Sequence, residues 1–299
     1  MWFKNLKIYR LTDTLKLNED NLQNQLTENG FRPCGSTELA SMGWTSPLGR
    51  GESLYHAAGG NFWFSLRKQE KILPASVVNA ELDDKVAELE ASSGNPVGKK
   101  AKQDLKQDIT HKLLPQAFTK LSDTHGFVVP SENLVFIDAS ADGKAETFLA
   151  MLRKTLGSLP VVPLARRSIA NELTDWLVSD NWPRDIELLE EGEFKDPSES
   201  GSIVRVKNQD LFADEIRAHL DSGKQLHKVA LIWKETVTAL LQEDVTVKRL
   251  KFSDLMREEN DDIPKEDMAA RADADFALMA GELTKLANWL NETFALDQD

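Results

Sequence analysis

Two kinds of grouping in this sequence could do chemistry: closely spaced carboxylates and regularly spaced cations. Asp273 and Asp275, with Glu282 seven positions beyond the second, are the best candidates for a divalent-metal site in a DNA-processing enzyme, since such sites gather acidic ligands around paired ions. Residues two apart on a helix point to nearly opposite sides, so the two aspartates could share an ion only if the helix broke there. The competing reading is a solvated acidic face. Asp138-Ala139-Ser140-Ala141-Asp142-Gly143-Lys144 follows an apolar run. It allows an aspartyl nucleophile or Mg²⁺ site, or a strand-to-helix turn capped by Ser140 or Asp142.

The cations form clearer patterns. Lys99, Lys102 and Lys106 are spaced three and four apart, so a helix starting after Gly98 aligns them on one side, with Lys100 adding charge at its start. Such a stripe suits a phosphate clamp, or simply a solubilising face. In Arg205-Val206-Lys207-Asn208-Gln209, a strand places Arg205 and Lys207 on one face and Val204 and Val206 on the other. Gln209 could add hydrogen bonds to phosphate or sugar. Lys248, Arg249 and Lys251 split across two strand faces, leaving Arg249 and Lys251 to act together.

Other chemistries lack their residues. No phosphate-cradling glycine loop precedes a lysine, and no G-x-G-x-x-G occurs. His56, His111, His125, His219 and His227 show no i, i+4 pairing, and Cys34 has no second cysteine, so no metal or other cofactor is expected and each histidine reads as an ordinary surface or half-buried one. No serine elbow is present. The expectation is a protein without catalytic residues.

These groups must be positioned by elements. A strand-like alternation spans residues 3–11, and Asn18 reads as the N-cap of a helix closed by Asn29-Gly30. Residues 53–73 read as a hairpin turning at Gly59-Gly60. Val78, Leu82, Val86 and Leu89, then Leu105, Ile109 and Leu113, recur at helical spacing on either side of a Ser/Gly/Pro-rich loop at 91–98, predicting two antiparallel helices that form a projecting arm. Strands follow at 127–129 and 134–137, and a helix at 141–156. Ser168 can cap another helix. Strands at 203–207, 226–234, 236–241 and 245–252 flank a helix near 214–220. A last helix begins at Pro264, with Met268, Ala272, Phe276, Met279, Leu283, Leu286 and Leu290 as its apolar stripe. The sum is an α+β chain in three parts: 1–74 plus 123–165, the arm at 75–122, and a second α+β part at 166–299.

Net charge is −13 over 299 residues, which argues against nucleic acid until its distribution is considered. Residues 252–299 hold thirteen acidic and four basic side chains, so the remainder is close to balanced, and phosphate binding depends on the local field. The single cysteine suits a reducing compartment, Lys4, Lys7 and Arg10 interrupt any signal-like core, and apolar runs are too short to span a bilayer. A cytoplasmic protein is expected.

Six stretches carry a resemblance: Trp2-Phe3-Lys4-Asn5-Leu6, Phe31-Arg32-Pro33-Cys34-Gly35, Glu70-Lys71-Ile72-Leu73-Pro74, Leu113-Leu114-Pro115-Gln116-Ala117-Phe118, residues 152–164, and residues 273–283. Together, and in this order, they resemble the RdgC family of recombination-associated proteins. The resemblance implies a ring-shaped homodimer, joined head to head and tail to tail, that encircles duplex DNA without sequence preference. It also implies restraint of RecA-mediated recombination, a part in replication fork repair and a place in the nucleoid. The arm with Lys99, Lys100, Lys102 and Lys106 corresponds to a finger that engages DNA, and Phe118 to an apolar anchor at a dimer contact. The loop here is poor in lysine, so its tip is less basic than the family pattern.

Overall fold

The computed structural model describes every residue except Met1, Lys16, Arg50, Glu199, Ser200, Lys265 and Asp299. Helices and strands are mixed in an α+β arrangement: two antiparallel sheets, with a pair of helices inserted in the first.

The first part of the chain runs β1 (Lys7–Leu11), α1 (Glu19–Glu28), β2 (Ala40–Thr45), β3 (Tyr55–Ala58) and β4 (Asn61–Ile72). It then leaves the sheet as α2 (Ala75–Ser93) and α3 (Lys99–Leu113) before returning through β5 (Phe118–Val129), β6 (Leu134–Ile137), α4 (Asp142–Leu156) and β7 (Val161–Pro163). The strands lie in the order β2-β4-β5-β6-β1-β7, with β3 hairpinned onto β4. That hairpin turns at Gly59 and Gly60, whose φ values of 58° and 79° suit a tight two-residue turn. The Asn18 side chain accepts from Asp20 N at 3.1 Å, capping α1 as its sequence implied. At α4 the expected cap is corrected. Ala141 occupies the N-cap position, Asp142 is the first helical residue, and neither Ser140 nor Asp142 caps with its side chain. Asp142 instead meets Lys7 Nζ at 2.5 Å.

Strands β4 and β5 pair from Phe62↔Val128 to Ile72↔Phe118. Only their inner halves enter the core. There the two-residue period places Phe62, Phe64 and Leu66 with Trp44 and Phe148 on one face, and Trp63 with Phe127 on the other. The outer halves continue past the core as a ribbon carrying the two helices at its end, so residues 118–122 are strand rather than helix. The helices are thinly packed: Val78 and Val86 of α2 and Ile109 of α3 are their buried residues.

The second part comprises α5 (Ala170–Val178), β8 (Ile186–Lys195), β9 (Ile203–Lys207), α6 (Asp214–Asp221), β10 (Gln225–Trp233), β11 (Val237–Gln242), β12 (Val247–Phe252), α7 (Asp254–Glu258) and α8 (Met268–Phe294), with sheet order β12-β11-β10-β8-β9. Ser168 Oγ accepts from Ala170 N at 3.2 Å, one residue before the N-cap position of α5. The last helix starts after Asp267, whose carboxylate accepts from Ala270 N, not at Pro264, which sits in the preceding turn. Its stripe is buried from Phe276 onward, while Met268 is exposed.

The two sheets share one core. Phe276, Met279, Leu283, Leu286 and Leu290 of α8 pack in the same cluster as Phe3, Trp63 and Phe127 from the first part and Val229, Trp233 and Leu241 from the second. Phe276 stacks on Trp63 with ring centres 5.3 Å apart and meets Phe127 edge-on. Just before β1, the backbone joins the other sheet: Leu6 N donates to Val247 O, Val247 N to Leu6 O, and Leu250 N to Lys4 O.

Candidate nucleic-acid interface

The arm presents its charge at the start of α3. Lys99, Lys100, Lys102 and Lys106 are exposed, and none of their ammonium groups has a hydrogen-bond or ion-pair partner among the described residues. Gly98 takes the N-cap position with no side-chain cap, and no acidic residue lies in the first turn. Free backbone N–H groups and the positive end of the helix dipole therefore coincide with three lysines. Each of these lysines destabilises the helix end slightly, and each would be relieved by an anion placed there. Asp104 is exposed one turn after Lys100 without pairing to it, and Glu81, Asp84, Glu88 and Asp108 line the groove between the helices, where Lys112 pairs with Glu81 at 2.7 Å and Lys85 with Glu88 at 2.6 Å.

The cations of β9 have a different environment. Their faces follow the sequence reading, with Val204 and Val206 against the core and Arg205 and Lys207 exposed. Across the ladder, however, stand Glu193 and Glu191. Arg205 Nε donates to Glu193 Oε2 at 2.6 Å and Lys228 Nζ to Glu193 Oε1 at 2.7 Å. Lys207 and Arg249 lie 3.7 and 2.8 Å from Glu191. Burial pushes the Glu193 carboxyl up, but hydrogen bonds from Lys228 and Arg205 outweigh it and hold it below its ordinary value. This wall is a lattice of charge in which four cations share two carboxylates, so each cation is partly compensated. Gln209 lies past the end of β9, its amide nitrogen 3.3 Å from Glu215 Oε1.

Phe118 is not a core residue: it is 85% exposed. It pairs in register with Ile72, itself half exposed, while Met42 of β2 lies on the same face but opposite Lys68, beyond the Glu70–Lys120 row. The result is an uncovered apolar patch at the root of the arm.

The candidate metal carboxylates do not converge. Asp273 Oδ1 lies 3.3 Å from His56 Nε2, Asp275 accepts from Asn260 at 3.0 Å, and Glu282 is buried, accepting from Thr236 Oγ1 at 2.6 Å. Asp138 accepts from Asn5 N at 2.9 Å. Among the described residues, no cluster of three or more His, Cys, Asp or Glu side chains could hold a metal ion, and no helix is long and apolar enough to cross a membrane.

Residues 1–296 match the sequence model of a family described as "Putative exonuclease, RdgC". The chain belongs to the RdgC family. Relatives agree over nearly their full lengths. The chain is 61% identical to the recombination-associated protein RdgC of Pseudoalteromonas atlantica, covering 100% of this chain and 99% of the relative. It is 44% identical to that of Colwellia psychrerythraea over 99% and 97%, and 45% identical to that of Aeromonas hydrophila over 95% of each. In this RdgC chain the residues that sequence reasoning missed are Glu191 and Glu193. Their signal was present in the period-two spacing of Ile186–Lys195, but the acid-rich composition hid the strand.

Proposed function

We propose that this chain is a sequence-independent double-stranded DNA-binding protein that limits RecA-mediated recombination by occupying duplex DNA as a homodimer closed around it. The observation that carries the reading is the set of four unpartnered lysines along the exposed first half of α3, against a β9 wall whose cations are each paired with a carboxylate. In a dimer with two arms, acidic surface faces outward while the arms supply the local positive field that phosphate requires. Phe118, with Ile72, is the self-association contact in this reading. DNA is bound and not cut, and the protein resides with the nucleoid in the cytoplasm.

The test is duplex binding by fluorescence anisotropy across a salt series, for the native chain and for Lys99→Glu/Lys102→Glu/Lys106→Glu. Three phosphate contacts from each of two arms correspond to a slope of log K against log salt of about −5. The variant should lose most of this slope and most of the affinity, and with them the inhibition of RecA strand exchange. An unchanged slope would overturn the reading. Inhibition retained without DNA binding would point to direct protein contact instead. Labelled duplex incubated with Mg²⁺ or Mn²⁺ should stay intact; metal-dependent shortening would replace the binding role with a nuclease.

A further inference from the structure

Away from the arm, an open groove of about 700 Å³ runs between α7, the β10–β11 turn and one face of α8. Helical spacing builds its walls. Leu255, Glu258 and Glu259 stand at i, i+3 and i+4 along the turns of α7, and Leu278, Glu282 and Lys285 at i, i+4 and i+7 along α8. The groove is preformed. Glu282, buried in its wall, accepts from Thr236 Oγ1 at 2.6 Å and from Lys285 Nζ at 3.2 Å, which fastens α8 to the turn.

Its apolar part is uncovered. Leu255 is 86% exposed beside the buried Met256, and Leu278 is half-buried. A leucine on the rim of an apolar-floored groove between helices suits the docking of a third helix, whose own apolar anchors fill the space. The charges decide which helix. Six charged side chains line the groove, four acidic and two basic. Both lysines are engaged, Lys285 with Glu282 and Lys234 with Asp185, which lies 3.8 Å away and outside the groove. Glu235, Glu258 and Glu259 are exposed, and their carboxylates have no hydrogen-bond or ion-pair partner among the described residues. Cations on the flanking segments do not remove this excess: Arg184, Lys251 and Arg257 are matched in number by Glu187, Asp254 and Asp262. Three free carboxylates around an apolar anchor repel nucleic acid and anionic lipid. They equally repel the same face of a second copy. What they complement is a protein segment with apolar side chains along one helical face and lysine or arginine beside them.

We propose that the α7–α8 groove docks a lysine- or arginine-rich amphipathic helix of another protein, with Leu255 as apolar contact and Glu235, Glu258 and Glu259 as charge partners. The surface is separate from the lysines of α3 and does not depend on the DNA reading. The test uses the whole protein and a fluorescein-labelled helical peptide with leucines along one face and lysines elsewhere. A second peptide has the same composition in an order that breaks that face. Anisotropy titration should show saturable binding of the first, about tenfold tighter than of the second. Leu255→Ser should weaken it about tenfold, with melting temperature and duplex affinity unchanged. Glu258→Lys/Glu259→Lys should weaken it much more than Glu28→Lys/Glu132→Lys, which changes net charge equally at exposed positions outside the groove. The proposal is overturned if the two peptides bind alike, if Leu255→Ser binds as tightly as the native chain, or if the outside reversal costs as much as the local one. Each of these means attraction by net charge alone. It is overturned too if Leu255→Ser lowers the mass in solution without peptide, which gives the groove to a second copy, or weakens duplex binding, which gives it to DNA. Should Leu255→Ser melt early, the comparison of the two double reversals decides by itself.

Discussion

At the residue scale, what separates useful cations from inert ones is the carboxylate next door. Arg205→Gln or Lys207→Gln should weaken duplex binding much less than Lys102→Gln, because Glu193 and Glu191 already hold the β9 pair in ion pairs. The sharper expectation is for Glu193→Gln. It frees Arg205 and Lys228 together, so duplex affinity should rise, and a fall in the anisotropy assay would contradict the charge-lattice account. The same carboxylate sets a pH dependence. Its folded pKa lies below the ordinary 4.5, so the stability it contributes is present above that value and is lost as pH falls through the depressed one. Asp123, held low chiefly by its hydrogen bonds from Arg67, acts in the same direction. Thermal melts of Glu193→Gln should therefore track the native protein less steeply in the acid range and show no added slope near neutrality. The cations themselves were legible from spacing, but their compensation was not. It depends on which strand lies across the ladder, and that strand was hidden by its own glutamates.

At the element scale, local signals were most readable where a side chain acts on its own backbone. Asn18 is such a case, and Asn18→Ala should cost about 1 kcal/mol in urea unfolding. The β3–β4 turn at Gly59-Gly60 was legible for the same reason. Long-range demands were not. Gly43 in β2 has no unusual φ, yet a Cβ there would stand 2.5 Å from the backbone of Gly30 and Phe31. Nothing near Gly43 in sequence announces that approach. Gly43→Ala should destabilise by about 1–3 kcal/mol, the range for forcing extra atoms into packed space, and a neutral result would mean the 30–31 segment moves freely. The start of α8 was misplaced because Pro264 and Asp267 both suit a helix N-terminus, and the carboxylate cap prevails. The arm helices were recognisable by period, but their thin packing was not. Hydrogen exchange should show α2 and α3 opening well before the inner halves of β4 and β5.

At the scale of the whole molecule, the apolar patch around Phe118 sits where the folded protomer has no use for it. Phe118→Asp should leave the melting temperature of the protomer nearly unchanged while shifting mass in solution from dimer toward monomer, as read by light scattering. A lowered melting temperature with unchanged mass would assign the side chain to internal packing instead. The α+β class could be read from the alternation of periods, but not the sharing of one core between two sheets. The helix that fills it, α8, has a stripe that looks the same whether it faces one sheet or two. That sharing has a cost during synthesis. Trp63 and Phe127 leave the ribosome long before Phe276 and Leu290 exist to cover them, so the nascent chain carries an aromatic face that only its final helix can close. Translation arrested before residue 268 would yield a sticky intermediate, a natural client for chaperones and a target for proteolysis.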